Sequence, residues 1–245
     1  MPKSRYNEIY QTLKERIETG DYPFQELIPS ENTLVQEFDC SRNTLRRAVQ
    51  ALSAEGYVQS MQGRGVRVIW QKRPNSQFLF GGVESFTEAC KRNGIHQETE
   101  VLRFEERAVD TSLSRLTGMP EGTAVYYIER LRRMDDVPLI LDHNYFLKEA
   151  AEGLTREIAA QSIYAYLENR LGLQIKTTRR VITVEPVTED DTAHLQMDGC
   201  NCVAVVSSST YNSDGILFEY TQSRHSPKHF EFHDVAQRKR DGALS

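Results

Sequence analysis

The N-terminal part of the chain carries hydrophobic residues at helical spacing. A stripe that includes Ile9 and Ile17 predicts a first helix, which Gly20 is placed to end. Two more short helical patterns follow, and each begins just after a serine, Ser30 and Ser41. A serine hydroxyl at that position can accept a hydrogen bond from the free backbone N–H groups of the first turn. The pattern therefore predicts three helices separated by short breaks.

A short β-hairpin is predicted after the third helix. Strand-like runs at 57–61 and 66–69 flank a turn made of Gln62, Gly63, Arg64 and Gly65. Two helices joined by a tight turn and followed by a hairpin are typical of a winged helix-turn-helix, whose last helix enters the major groove of DNA.

The rest of the chain is dominated by strand-like runs with short helical patterns between them. We predict strands at 98–108, 124–134, 139–146, 175–186, 203–211 and 217–225. We predict helices at 84–93, 111–116, 162–171 and 188–195. Because sequential strands are joined by short turns, we expect a mostly antiparallel α+β sheet, not a doubly wound nucleotide fold.

This change of pattern divides the chain of 245 residues, a length that suits two domains. We predict a winged helix-turn-helix domain over 1–70, a polar linker over 71–77, a sheet-rich domain over 78–237 and a polar tail over 238–245.

Charge is unevenly distributed in a chain whose net charge is −5. Residues 40–73 contain seven Lys or Arg and a single acidic residue. Charge alone fits a solvated surface equally well, but its position favours DNA. The residues that fall off the apolar stripe of the third helix, near its N-terminal end, are Arg42, Asn43, Arg46 and Arg47. Arg and Asn are the side chains that read guanine and adenine in the major groove.

Several protein classes lack support in the sequence. No run approaches the ~20 apolar residues of a membrane span, and the N-terminus lacks the apolar run of a signal peptide. We find no zinc-protease signature, Walker loop or nucleophile elbow. We therefore expect a cytoplasmic protein that is not an enzyme and has no cofactor.

Cysteine and histidine spacing does not favour a metal site. Four cysteines are too few for a disulfide framework, and the close pair Cys200 and Cys202 has no matching pair for zinc. Histidines recur at 225, 229 and 233, but Pro227 breaks any helix there. We expect these histidines on a strand and in loops.

Two features of the sequence suit an anion site in the second domain. The loop at 80–87 contains Gly81 and Gly82 and leads into a helix, which suits either a phosphate or ordinary helix capping. Arg130 and Arg132 alternate on one strand and so share one face. They suit a bound anion or ion pairs with Asp142 or Glu185.

The first domain resembles the DNA-binding domain of GntR-type bacterial repressors. The motif runs Pro29-Ser30-Glu31, Leu34, Phe38, Ser41-Arg42, Thr44-Leu45-Arg46, Ala48, Leu52, Gly56-Tyr57, Gly63 and Gly65. The resemblance implies that the DNA-contacting residues are Ser30, Glu31, Asn32, Ser41, Arg42, Asn43, Thr44, Arg46, Gln62, Gly63, Arg64 and Gly65. The charged face of the third helix adds Arg47 to this set.

The second domain resembles the effector-binding domain of the HutC branch of that family, which is similar to the chorismate-lyase fold. The motifs are Glu129-Arg130-x-Arg132, Leu141-Asp142, Ser162-Ile163-Tyr164, Val184-Glu185-Pro186 and Phe218-Glu219-Tyr220 through His225. Trehalose operon repressors of Gram-positive bacteria are the most similar group. This resemblance implies trehalose 6-phosphate as inducer and a homodimer on a pseudo-palindromic operator.

The resemblance also implies individual roles. The phosphate would be held by Ser85, Phe86, Thr87, Arg130 and Arg132. The sugar hydroxyls would be faced by Asp142, Ser162, Tyr164, Glu185, Glu219 and His225. Two alternatives stay open. The same architecture can respond to an N-acetylglucosamine phosphate, urocanate or an alkylphosphonate-linked signal, and the lyase-like scaffold can belong to an enzyme.

Overall fold

The structure is a computed structural model that describes residues 5–71, 85–232 and 236, with the backbone alone at 92–93. These residues fall in two compact units, one drawn from 1–76 and 233–245 and the other from 77–232. Most of the expected linker, the glycine pair at 81–82 and the tail at 238–245 lie outside the described residues. No helix within the described ranges is long and apolar enough to cross a membrane.

The first unit is the predicted winged helix-turn-helix. Its elements are α1 (Arg5–Thr19), α2 (Glu31–Glu37), α3 (Arg42–Ala54), β1 (Val58–Met61) and β2 (Gly65–Val68). The two strands pair antiparallel. One core joins all three helices and the hairpin: Ile9, Leu13, Ile17, Ile28, Leu34, Leu45, Ala48, Leu52, Tyr57, Val58 and Val68.

Both predicted helix caps are present. The Ser30 hydroxyl accepts a hydrogen bond from the Thr33 N–H at 3.2 Å, and the Ser41 hydroxyl accepts one from the Thr44 N–H at 3.1 Å. Between α2 and α3, Asp39 adopts a left-handed backbone with φ of 44°. This short turn sets α3 across α2, as a helix-turn-helix requires.

The second unit is built around one sheet. Its helices are α4 (Phe86–Asn93), α5 (Thr111–Thr117), α6 (Arg156–Ala159), α7 (Ile163–Asn169) and α8 (Glu189–His194). Its strands are β3 (Gln97–Ala108), β4 (Ala124–Met134), β5 (Val137–Leu147), β6 (Ile175–Pro186), β7 (Cys202–Asn212) and β8 (Leu217–His225). Short 3₁₀ turns lie at Lys148–Ala151 and Pro227–His229.

All six strands are antiparallel, in the order β3-β4-β5-β8-β7-β6. The expected α+β class is confirmed. The β4–β5 hairpin turns through Asp135 and Asp136, which have φ of 47° and 67°, as a tight hairpin demands. The chain then leaves β5, passes through α6 and α7, and places β6 at the far edge of the sheet.

Each face of this sheet carries its own apolar clusters. On one face, α7 contributes Ile163 and Leu167 to a cluster with Ile128 and Phe146. Near α4, Cys90 packs with Met134, Leu139 and Ile140 in a second cluster. On the opposite face, Leu131 and Leu141 pack with Leu195, Val203 and Val205. The helices on the first face leave an open depression between them.

Candidate DNA-binding surface and effector cavity

The N-terminal half of α3 presents a cationic surface. Leu45, Ala48 and Leu52 face the core, whereas Arg42, Asn43, Arg46 and Arg47 are exposed. The side chains of Arg42 and Arg46 are 62% and 59% exposed. The structure thus places both side chains on the solvent side of α3, as the sequence predicts.

Helix α2 holds these arginines in place. Arg46 donates from Nε and Nη2 to the Glu31 carboxylate at 2.8 and 3.0 Å, and Arg42 donates to Asn32 Oδ1 at 3.0 Å. The hydrogen bond from Arg46 lowers the pKa of Glu31. Glu31 and Asn32, both expected to line DNA, thus contact the two arginines directly.

The remaining α3 candidates have different surroundings. Arg47 lies over the Tyr6 ring of α1 at 5.1 Å, a cation–π distance. Asn43 is exposed. The Thr44 hydroxyl is 2.8 Å from the Ser41 hydroxyl. The structure therefore groups Arg42, Arg46, Glu31 and Asn32 and sets Arg47 to one side against α1.

The wing is a tight hairpin. Met61 pairs with Gly65, and Gly63 and Gly65 have φ of 70° and 101°, a region that favours glycine. Gln62 is exposed beside Gly63, and Arg64 is exposed at the tip. Hydrogen bonds from Gln25 N–H to the Val68 carbonyl and from Ile28 N–H to the Val66 carbonyl hold β2 to the preceding loop. The tip is thus presented on a fixed base.

The second unit contains an open cavity on the sheet face between α4 and α7. Its empty space, which includes open solvent, is about 1000 Å³. Ten of the eleven expected effector residues line it: Ser85, Phe86, Thr87, Arg130, Arg132, Asp142, Ser162, Tyr164, Glu219 and His225.

A buried arginine pair shares one carboxylate at the centre of this cavity. Arg132 Nε donates to Asp142 Oδ2 at 2.8 Å, and an Arg130 Nη2 lies 3.9 Å from the same oxygen. Arg130 Nε also donates to Asn144 Oδ1 at 2.8 Å. The Ser223 hydroxyl donates to the other oxygen of Asp142 at 2.6 Å. Of the two ion-pair partners left open by the sequence, Asp142 is the one used.

The electrostatics of this pair favour an anion. Burial, together with the neighbouring Arg132, lowers the pKa of Arg130 to about 9. Burial opposes ionisation of Asp142, but the two guanidinium groups hold its pKa below the ordinary value. The two buried cations therefore have Asp142 as their shared ion-pair partner, and together they would attract a bound oxyanion.

A second polar group lies further along the cavity. The Tyr164 hydroxyl donates to Glu219 Oε2 at 2.5 Å, and the Thr221 hydroxyl donates to Oε1 at 2.8 Å. Burial raises the pKa of Glu219. The carboxylate and the two hydroxyl oxygens have lone pairs left to accept hydrogen bonds from sugar hydroxyls.

Two serines at the rim cap helices. Ser85 forms a complete capping box with Glu88, and the Ser162 hydroxyl accepts from the Ala165 N–H. Ordinary capping, one of the two interpretations left open for the loop before α4, is therefore observed. Phe86 packs over Arg132 with its ring centroid 4.9 Å from the guanidinium carbon.

The structure corrects the predicted position of Glu185. It lies outside the cavity lining, and its carboxylate accepts from Arg224 at 2.8 Å. Arg224 also donates to Asp191 of α8, on the sheet face opposite the cavity. Glu185 pairs in register with Val203, whose side chain belongs to the apolar cluster of that opposite face. The expected contact of Glu185 with sugar hydroxyls was therefore wrong.

The histidines occupy the expected strand and loop positions where they are described. His225 ends β8, lies 4.9 Å from the Phe230 ring, and burial lowers its pKa to about 4. His229 lies in a 3₁₀ turn, and His233 is outside the described residues. Within 5–71 and 85–232, no three His, Cys, Asp or Glu side chains are grouped to hold a metal ion.

Sequence reasoning missed several polar residues of the cavity: Asn144, Gln161, Thr178, Arg180, Ser208, Thr221 and Ser223. Strand alternation could have found three of them. Asn144 follows Asp142 by two positions, and Thr221 and Ser223 continue the face of Glu219. Arg180 and Ser208 lie on strands where no cavity residue had been correctly identified.

The two units match two family models. One described as bacterial regulatory proteins, gntR family, covers residues 5–68, and one described as UTRA domain covers 92–231. The chain is 32% identical to the HTH-type transcriptional regulator TreR of Bacillus subtilis (strain 168), over 97% of this chain and 99% of that protein.

Solved structures share this fold. The crystal structure of the possible transcriptional regulator YydK from Bacillus subtilis has a TM-score of 0.80 at 20% identity, covering 96% of this chain and 100% of that one. The effector binding domain of the B. subtilis trehalose repressor (TreR) has a TM-score of 0.53 at 32% identity, covering 58% of this chain and 99% of that one. The chain therefore belongs to the GntR family of bacterial regulatory proteins, as a DNA-binding transcriptional regulator with a UTRA domain.

Proposed function

We propose that this regulator represses a sugar-utilisation operon, binds its operator as a homodimer, and is released by trehalose 6-phosphate. The observation that carries the proposal is the buried pair of Arg130 and Arg132 with the single carboxylate of Asp142. Together the two buried cations would attract a phosphate. The similarity to a trehalose repressor supports the choice of sugar.

The cavity residues divide by chemistry. Arg130 and Arg132 supply charged donors for the phosphate, and the neighbouring Ser85 and Thr87 hydroxyls extend that end. Towards the Glu219 end, the Tyr164 hydroxyl oxygen and the Glu219 carboxylate offer acceptors to sugar hydroxyls. The ligand is thus held by charge at one end and by hydrogen bonds along its length.

On the DNA side, Arg42 and Arg46 read bases while the wing and helix N-termini contact phosphates. In a dimer the two α3 helices would meet half-sites about one helical turn apart, ~34–36 Å, or a multiple of it. Effector binding releases the operator only through its different affinity for the two states. A coupling of about 1–3 kcal/mol changes operator affinity roughly 5–150-fold.

Operator titration tests the proposal. Trehalose 6-phosphate is expected to weaken binding of the full chain to its operator, whereas free trehalose lacks the phosphate and leaves binding unchanged. Glucose 6-phosphate, N-acetylglucosamine 6-phosphate and urocanate complete the panel. If one of these releases the operator and trehalose 6-phosphate does not, the inducer is misassigned. If none of them does, the regulator responds to another class of molecule.

A variant separates effector binding from DNA binding. Arg132→Gln removes one charge from the buried pair and leaves α3 unaltered. It is expected to retain operator affinity and to lose the response to trehalose 6-phosphate. The matched control is Arg133→Gln, the next residue, whose side chain pairs with Glu100 at the surface and lies outside the cavity lining.

A further inference from the structure

The cavity extends across five neighbouring strands. Its lining begins at Arg130 and Arg132 on β4, crosses β5, β8 and β7, and ends at Thr178 and Arg180 on β6. Adjacent strands lie about 4.8 Å apart, so four strand spacings separate the backbones of β4 and β6 by roughly 19 Å. The arginine pair and the β6 side chains therefore lie at opposite ends of the cavity.

Arg180 is the charged residue of this far end. It is half-buried and lines the cavity, and burial lowers its pKa against the opposing effect of Tyr164 and Glu219. Arg130 interacts electrostatically with the same two groups. Glu219 and Tyr164 thus lie within the electrostatic reach of both arginines, between the phosphate end and the β6 end.

The surroundings of Arg180 suit a neutral polyol more than a second phosphate. Ser208 is its direct partner across the β6–β7 ladder, and Thr178 lies two positions away on the same face. Both offer hydroxyl groups that donate and accept. The guanidinium offers several fixed donors in one plane, a geometry that matches adjacent sugar oxygens.

We propose that Arg180, with Ser208 and Thr178, forms a subsite for a second sugar ring and makes the regulator selective for a disaccharide phosphate over a monosaccharide phosphate. The inference rests on the proposed phosphosugar effector and adds the residue that distinguishes a disaccharide phosphate from a monosaccharide phosphate. A ring bound at this end donates and accepts hydrogen bonds with the β6 and β7 side chains, while the phosphate stays with Arg130 and Arg132.

The test measures dissociation constants by calorimetry for trehalose 6-phosphate and glucose 6-phosphate, on the full chain and on Arg180→Gln. Wild type is expected to prefer the disaccharide phosphate. Arg180→Gln is expected to lose about 10- to 100-fold in affinity for trehalose 6-phosphate, the range for a hydrogen bond to a charged group, with less than about a two-fold change for glucose 6-phosphate. Arg180→Lys keeps the charge and should restore part of the affinity.

The neighbouring arginine is the matched control. Arg179 is exposed and lies outside the cavity lining, so Arg179→Gln should leave both constants unchanged. If Arg180→Gln weakens both ligands equally, or if wild type binds glucose 6-phosphate as tightly as trehalose 6-phosphate, the subsite is refuted while a phosphosugar effector stands. If wild type binds neither ligand, the proposed function fails and the subsite fails with it.

Discussion

Arginines in the two units are paired with carboxylates in opposite settings. Arg46 is 59% exposed and meets Glu31 on the surface of the first unit, whereas Arg132 is 7% exposed and meets Asp142 inside the second. Water screens the first pair and makes it cheap to separate. The second pair is buried, so removing one partner leaves an uncompensated charge. The first setting suits an arginine that exchanges partners, and the second suits one that holds a fixed charge for a ligand.

Removing the buried carboxylate should have the largest effect. Asp142→Ala leaves Arg130 and Arg132 as neighbouring buried cations, and is expected to cost about 3–5 kcal/mol of folding free energy. Calorimetric or urea unfolding of the full chain measures the loss. Glu100→Ala is the control, because its partner Arg133 lies at the surface and the pair contributes at most about 1 kcal/mol. Equal losses in both variants would contradict the contrast.

The next largest effect is expected from substitutions on the DNA-binding surface, which change operator affinity. Arg46→Ala removes a candidate base contact and is expected to weaken specific binding roughly 5–150-fold, with effector affinity unchanged.

Arg64→Ala at the wing tip should weaken binding to all sequences alike and reduce the slope of log K against log salt by about 1. Gel-shift titrations on operator and scrambled duplexes distinguish the two. If Arg46→Ala weakens binding to operator and scrambled duplexes equally, Arg46 has no role in base recognition.

Glu219 should produce a smaller, pH-dependent effect. Its pKa is raised in the folded chain, so its contribution to stability is present below the unfolded pKa of about 4.3 and is lost as pH rises through the folded value. Glu219→Gln keeps an acceptor for Tyr164 and removes the titration. Above the unfolded pKa, its unfolding free energy should fall less with rising pH than that of wild type. Parallel pH profiles would show that Glu219 does not titrate abnormally.

The smallest effect is expected for Glu185. Its carboxylate pairs with Arg224 on the sheet face opposite the cavity. Glu185→Gln should therefore leave effector affinity unchanged in calorimetric titration. A loss comparable with that of Arg132→Gln would return Glu185 to the ligand site.

Local chemistry explains what was predictable about the fold. Ser30 and Ser41 mark helix starts through their own hydroxyls, and β4 begins with the apolar run from Ala124 to Ile128. The strand order was not predictable. The chain leaves β5 through two helices before β6, and β6 reaches the far edge because β7 and β8 return between them. That arrangement depends on packing between distant segments, which no local pattern specifies.

The cavity was predictable where the face of a strand could be deduced. Arg130 and Arg132 identify the cavity face of β4 by their spacing. On β6, polar and apolar residues do not alternate cleanly: Thr177, Thr178, Arg179 and Arg180 are consecutive polar positions. A shift of one position exchanges the two faces of a strand. Glu185 had been assigned to the site by family resemblance, and the polar run on β6 gave no face that would have excluded it or indicated Arg180.

The bidentate contact between Glu31 and Arg46 has a consequence for how the regulator reads its operator. Because this pair is exposed, Arg46 can leave Glu31 at little cost when another partner is presented. A guanine edge presented in the right register offers two acceptors at once. In the proposed base contact, Glu31 thus orients the guanidinium of Arg46 until such an edge replaces the carboxylate.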